Sequence, residues 1–462
     1  MRQVVAAGRR DIRVLVVDAS RDANNEALAR HATAKVGSAN GHQIGFFGRR
    51  EKLALRRTLR SAWDESLLEF AFRPGASGNR NIILLLTRGE HVLFVDDDMV
   101  CDVWRPSLSR PEIALGGHVE ERAIAFYTRR ADVCNTLIPA RVDLLSAHQV
   151  VLGRTISSVV AGQQHPVDAR NACSHIREAA RGQRPSLIRM TFTGISGDAG
   201  ATYPDRLLFS TGTWKDVLAR DATAFKRAFR FREVCKVPSR YIIMHYVSCM
   251  AACMGLANSS VVPPFLPVGR NEDGLFGALM SAMDRRTASC FLPYAAVHAS
   301  NREARYAIAR FPSASETRMA DLLISLINFW PPTIRANDPR RRLVRLGEWL
   351  QDLGALSRRD FVSAISLATL RTREMELHLI DAALDDDSYP AYWQRDLRAY
   401  KKMLLAHIED PAFLLPLEFR AARTANAAYD DVRRFVRTAG RLMSAWPSLW
   451  RAARMTVSRR ER

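Results

Sequence analysis

The chain has 462 residues, 47% of them apolar and 25% charged, with 24 Gly and 20 Pro. That composition excludes a disordered, collagen-like or low-complexity chain and is sufficient for a large core. Lys and Arg outnumber Asp and Glu by 68 to 48, a formal charge of +20 that attracts polyanions, but no zinc-finger, helix-turn-helix or RNP pattern accompanies it, so no specific nucleic-acid partner is expected. Seven Cys without CxxC spacing, several inside apolar runs, read as reduced, buried thiols. The opening MRQVVAAGRR lacks the apolar core of a signal peptide. The longest apolar run, Tyr241 to Ala257, contains His245 and Ser248 and is short of a membrane span. A cytoplasmic protein is the expectation.

In chain order, IRVLVV (12–17) predicts a strand ending at Asp18, and Ser20 and Asp22 signal a helix running to Lys35. HQIGFFG reads as a second strand, 50–62 as a basic helix and LLEFAF as a third strand. After the breaker RPGASG comes a helix from about Asn79 to Arg88, then the strand HVLFV. Alternating strands and helices predict a mainly parallel sheet covered by helices. From about 117 to 300 the pattern mixes short strands (AIAFYT, LIRMTFTGI), helices (Trp214 to Arg230, Tyr241 to Leu256) and Pro-containing loops. Gly194 to Gly200 reads as a loop. After about 310, amphipathic periodicity predicts helices to the C-terminus.

The most informative stretch is GNRNIILLLTRGEHVLFVDDDM, in which three carboxylates end an apolar strand. Ligands of a parallel sheet bind at the C-terminal strand edge, and alternation sends Asp96 and Asp98 to one side and Asp97 to the other. Asp96 and Asp98 are then expected to converge on one hard cation, Mg²⁺ or Mn²⁺. Downstream, GRNEDGLFGALM sets Glu272 and Asp273 before an apolar helix, where carboxylates also suit a helix N-terminus. FLPYAAVHASNR ends an apolar segment at His298.

These motifs and their order resemble the GT-A fold glycosyltransferases, especially the family 2-like group, with its G-x-x-x-A-R-N-like helix start, apolar strand, D-x-D and later E-D pair. The resemblance covers roughly residues 1–300. It implies a GT-A-like, Rossmann-type α/β sheet with a C-terminal all-helical extension: 1–116 as the nucleotide-sugar-binding half, 117–309 as the acceptor-binding half and 310–462 as helices. It implies transfer of a sugar, of the hexosyltransferase class, from a nucleotide-diphosphate sugar to an acceptor hydroxyl, with inversion. Asp96 and Asp98 would hold Mn²⁺ or Mg²⁺, with His298 as third ligand. Asp97 would lie near the ribose, Asp18 near the nucleobase, and Arg80 and Asn81 in the donor pocket. Asp273 would be the catalytic base and Glu272 would orient the acceptor.

The family's sheet begins with a strand that precedes the one at 12–17, whereas Met1 to Arg10 reads as the end of the following helix. The expectation is a truncated chain or an impaired donor pocket. Two other classes fit parts of the pattern. A haloacid-dehalogenase-type phosphohydrolase would use Asp96 as nucleophile and Asp98 as acid/base, with Ser210 or Thr211 and one of Lys215, Lys226 or Lys236 on phosphate. A GT-A-like scaffold would bind without turnover. Finally, eleven Arg and four acids follow from Glu418 onward, interleaved with Phe435, Trp446 and Trp450. This pattern suits peripheral contact with an anionic membrane surface, or a helix that packs its apolar stripe on the protein.

Overall fold

The computed structural model describes residues 12–20, 22–60, 63–116, 123–201, 204–245, 249–301, 305–306, 316–330, 338–420 and 424–457. The expectation for Met1 to Arg10 lies outside the described residues. The architecture is mixed α/β with a helical C-terminal region. The strands in chain order are β1 (Val14–Val17), β2 (Ile44–Phe47), β3 (His91–Val95), β4 (Met99–Pro106), β5 (Ile113–Gly116), β6 (Ala123–Tyr127), β7 (Leu137–Pro139), β8 (Val167–Asp168), β9 (Leu187–Asp198), β10 (Glu233–Val237), β11 (Tyr241–Met244), β12 (Cys253–Ala257) and β13 (Thr287–His298).

β1 and β2 form a separate parallel pair, and the other eleven strands form one sheet whose main path runs β3-β12-β9-β13-β11-β5-β8. That sheet is mixed rather than mainly parallel: β9/β13, β11/β5 and β5/β8 are parallel, and the remaining pairs are antiparallel. The pairing directions determine which strand ends meet. Because β12 is antiparallel to both β3 and β9, β3 runs the same way as β9 and β13, and all three finish at one end of the sheet. β4 and β10 start at that end, with Met99 opposite His298 and Glu233 opposite Asp198.

Three expected elements differ. LLEFAF lies in a helix, Glu65–Ala71, because Asp64 accepts the N–H of Ser66 at 2.8 Å and Leu67, Leu68 and Ala71 then share one buried face. Tyr241 to Leu256 contains β11 and β12 instead of a helix. Both strands are buried on two faces, so their sequence shows no alternation by which a strand could be recognised. Trp214 to Arg230 divides into Gly212–Ala219 and Ala222–Arg230, where Asp221 caps the second helix by accepting the N–H of Ala224 at 2.7 Å.

The helical region shares its core with the sheet region. One apolar cluster runs from Leu55, Leu68 and Leu85 through Phe265, Phe276 and Met280 to Leu346, Val436 and Trp446. A second joins Leu208, Phe225 and Val234 to Trp393, Leu397 and Tyr400. Of the two readings of Phe435, Trp446 and Trp450, the packed helix is the one found: Trp446 and Trp450 are buried, their indole N–H groups donating to the Val262 carbonyl at 2.8 Å and to Asn258 at 3.3 Å, and Phe435 packs edge-on against Phe70. The apolar stripe of Ala425–Val457 packs inside the protein. Among the described residues, no helix is long and apolar enough to cross a membrane.

Candidate functional site

The acidic triplet is the turn between β3 and β4, closed by the Asp96 N–H on the Ala252 carbonyl at 2.9 Å and the Met99 N–H on the Asp96 carbonyl at 3.1 Å. In this turn Asp97 is exposed while Asp96 and Asp98 are half-buried. The two half-buried carboxylates have different neighbours.

Asp96 faces Arg80, which is carried by the Ala76–Leu86 helix and is 6% exposed. One Nη donates to both Asp96 oxygens at 2.9 and 3.0 Å, and the other to Glu272 at 2.8 Å. A single buried cation therefore bridges the D-x-D turn and the E-D pair, reaching a Glu272 that lies 192 residues beyond Arg80 in sequence. Burial opposes the Arg80 charge, but the fields of Asp96, Glu272 and Asp273 outweigh it and hold the guanidinium above its usual pKa. Two carboxylates against one cation are not fully compensated. Burial raises the Asp96 pKa, with Asp98 and Asp273 adding to the effect against the pull of Arg80. Burial and the neighbouring Asp273 likewise raise Glu272.

Asp273 accepts the N–H of Ala251 at 3.1 Å and of Gly274 at 2.9 Å. The pair opens the Glu272–Met283 helix behind Asn271, the one non-glycine residue with positive φ (63°) among those described. A Cβ on Gly274 would sit 2.1 Å from the Asn271 Oδ1, so any side chain there would displace the Asn271 amide.

Asp98 faces His298 at the end of β13, with Nε2 to Oδ2 3.1 Å. The other ring nitrogen, Nδ1, lies 2.8 Å from the Asp198 carbonyl, an acceptor only, so Nδ1 carries the hydrogen. The Nε2 of a neutral ring then presents a lone pair to a carboxylate, an arrangement that a cation between the two would satisfy. A backbone carbonyl on the remote ring nitrogen is also how metal-binding histidines are oriented. These two side chains thus fit a divalent cation. Among the described residues no group of three or more His, Cys, Asp or Glu is arranged to hold a metal, and Asp96 is engaged by Arg80 instead of joining Asp98 and His298.

Behind this pair lies a second layer of charged side chains. Asp198, 1% exposed, is held by Arg232 through two hydrogen bonds of 3.0 and 2.7 Å, which with the Gly200 N–H hold its pKa below the usual value despite burial. Arg130 pairs with Glu233 at 2.8 Å and donates to the Ser300 carbonyl at 2.7 Å. The Gly194 to Gly200 segment, expected as a loop, is mostly the buried end of β9. An aspartate closing the long apolar run LIRMTFTGISGD was the available signal, of the same kind as Asp96.

Two expected donor-pocket residues need correction or refinement. Asn81 is fully buried and acts as a latch, donating to the carbonyls of Ala71 and Phe265 and accepting the Phe265 N–H, each at 2.8 Å, so no ligand reaches it. Asp18 uses its carboxylate on Ser20, and its carbonyl accepts from Lys52, whose ammonium also donates to Asn79 at 2.7 Å. Asn79 in turn donates to the Val17 carbonyl at 3.1 Å, so Asp18 is tied to the helix that carries Arg80. Of the lysines considered for a phosphohydrolase, Lys215 is engaged by Asp386 and Ser388, and Lys236 lies over the Trp214 ring.

Comparison with family models, with curated proteins and with solved structures finds no match to this chain.

Proposed function

We propose that the chain is a GT-A-like, metal-dependent glycosyltransferase that moves a sugar, with inversion, from a nucleoside-diphosphate sugar to an acceptor hydroxyl. The observation that supports this most is the meeting at one sheet end of Asp96, Asp98, Glu272, Asp273 and His298, from three separated segments, with Arg80 bonded across two of them. A solvated acidic turn and an ordinary helix N-terminus would have no reason to share one buried arginine.

Asp98 and His298 would hold Mn²⁺ or Mg²⁺, and such a cation, when bound, neutralises the diphosphate leaving group. The Asp198 carbonyl fixes the His298 ring, and the Arg232 ion pair fixes Asp198. Asp273 is the base: its oxygens accept backbone N–H groups, which hold the carboxylate in place and leave lone pairs to accept the acceptor's proton. Glu272, held by Arg80, orients the acceptor, and Arg80 keeps the E-D pair in register with the D-x-D turn.

The test is thermal stabilisation of the full chain by UDP, GDP and their sugars, with and without Mn²⁺, beside Asp98→Asn, followed by a turnover assay with the nucleotide-sugar that stabilises. Metal-dependent stabilisation by one nucleotide, lost in Asp98→Asn, and turnover lost in Asp273→Asn are expected. Stabilisation without turnover would turn the reading to a binding protein. No nucleotide effect under any condition would end it.

A further inference from the structure

The far end of the sheet holds a second charged site. Arg189 lies on β9 nine residues before Asp198, roughly 30 Å away at the rise of an extended strand. It is 2% exposed, and its Nη groups donate to the carbonyls of Ser260 at 2.9 Å, Ala257 at 3.2 Å and Val261 at 3.4 Å, while its Nε has no partner. Among the described residues no carboxylate lies within ion-pair distance of it. A buried guanidinium is ordinarily paired with an acid, since neutral carbonyls satisfy its donors but not its charge. Burial accordingly lowers the Arg189 pKa, with Asp284 the carboxylate whose field opposes this.

Arg189 lines a cavity of about 450 Å³, within the size range of small-ligand sites. Its lining also includes Arg286, Arg340, Asp284, Asp338 and Thr155. Both acids are engaged: Asp284 accepts the backbone N–H of Arg286 at 3.0 Å and lies 3.4 Å from its guanidinium, and Asp338 accepts the N–H of Arg340 at 3.0 Å. Arg340 stands at the start of the 17-residue Pro339–Ala355 helix, whose positive end opens on the same cavity.

We infer that this cavity binds a small phosphate-bearing anion, with Arg189 as the buried charge at its floor and Arg286 and Arg340 closing on the ligand from the mouth. The site is separate from the carboxylate cluster, so its ligand takes no part in the chemistry proposed there.

The test uses the full chain and its Arg286→Gln, Arg340→Gln double variant, both changes lying on exposed side chains. Thermal denaturation is followed against inorganic phosphate, with sodium chloride at matched ionic strength as control. Saturable stabilisation by phosphate, absent with chloride and at least tenfold weaker in the double variant, is expected. Glycerol 3-phosphate and vesicles containing phosphatidic acid then separate the sources: the response follows the first for a soluble ligand and the second alone for a lipid headgroup. Absence of saturable stabilisation overturns the inference. So does stabilisation that the double variant keeps, which would put the phosphate elsewhere. Neither outcome touches the nucleotide experiment, which reads Asp98.

Discussion

Replacing Arg80 with Met tests whether one cation holds the two acidic motifs together. The side chain is 7% exposed and Glu272 14%, while Asp96 is 38% exposed. Removing one partner of a fully buried pair costs about 3–5 kcal/mol. The exposure of Asp96 screens part of that, so the expected loss is about 2–4 kcal/mol at pH 8. The sign of the pH dependence follows from the carboxylates. Burial already raises the pKa of Asp96 and Glu272 in the folded protein, and without Arg80 the largest influence opposing it is gone. A folded-state pKa above the unfolded value penalises the native state most when the group is ionised, so the penalty is full at high pH and recedes as pH falls. Urea unfolding of parent and Arg80→Met at pH 8 and pH 5 measures this, and a double-mutant cycle with Glu272→Gln isolates the coupling. A deficit below about 1 kcal/mol at pH 8, or one that does not shrink at pH 5, would refute the bridging role.

Asp205 is pushed up to about 7, chiefly by burial, with Glu376 adding and Arg206 opposing. A raised carboxyl costs stability as pH climbs through that value, so Asp205→Asn should be more stable than parent at pH 8.5, by at most roughly 4 kcal/mol, and the gain should vanish towards pH 4 in denaturant melts. Gly197 has φ of 115°, and a Cβ there would lie 2.4 Å from the His298 carbonyl oxygen. Gly197→Ala should lower the denaturant midpoint by an amount equivalent to about 1–3 kcal/mol and shift the His298 ring signals in NMR, whereas an unmoved ring would contradict the tight packing of β9 against β13. Trp446→Ala should cost about 3–5 kcal/mol in urea unfolding, and a cost under 1 would mean that the last helix is not part of the core.

The elements that were legible carry a local signal. IRVLVV and HVLFV are short β-branched or apolar runs ended by Asp, and they form β1 and β3. The direction of pairing carried no such signal. β3 lies beside β12, a strand 160 residues later that reads as a helix, because a segment buried on both faces has neither period. The acids of the candidate site were visible as carboxylates at strand and helix ends, as was His298 at a strand end. Their partners were not. The GNRN motif marks Arg80 for a donor pocket but carries no sign of its pairing with Asp96 and Glu272, and Arg232 is one arginine among many in a chain that uses Lys only seven times. Asn81 shows the converse: a polar residue beside Arg80 is turned about 100° away by helix geometry, where it ties the end of the Glu65–Ala71 helix to Phe265.

The C-terminal helix bears on the site as well as on stability. Its Trp446 and Trp450 bond the Val262 carbonyl and Asn258, within the connection that leaves β12 and leads to Glu272. Asn258 also donates to the Leu84 carbonyl and Asn81 holds Phe265, so the same connection is fastened to the helix carrying Arg80. Phe265 stacks on Phe276 with ring centroids 4.0 Å apart, setting the first turns of the Glu272–Met283 helix. Arg80 can bond Asp96 and Glu272 together only while its helix and this connection keep one spacing, and Ala425–Val457 packs against both. Loosening that helix should therefore weaken the Arg80 to Glu272 coupling before the sheet unfolds. In the double-mutant cycle, a Trp450→Phe background that left the coupling intact would show that the acidic site is set by the sheet alone.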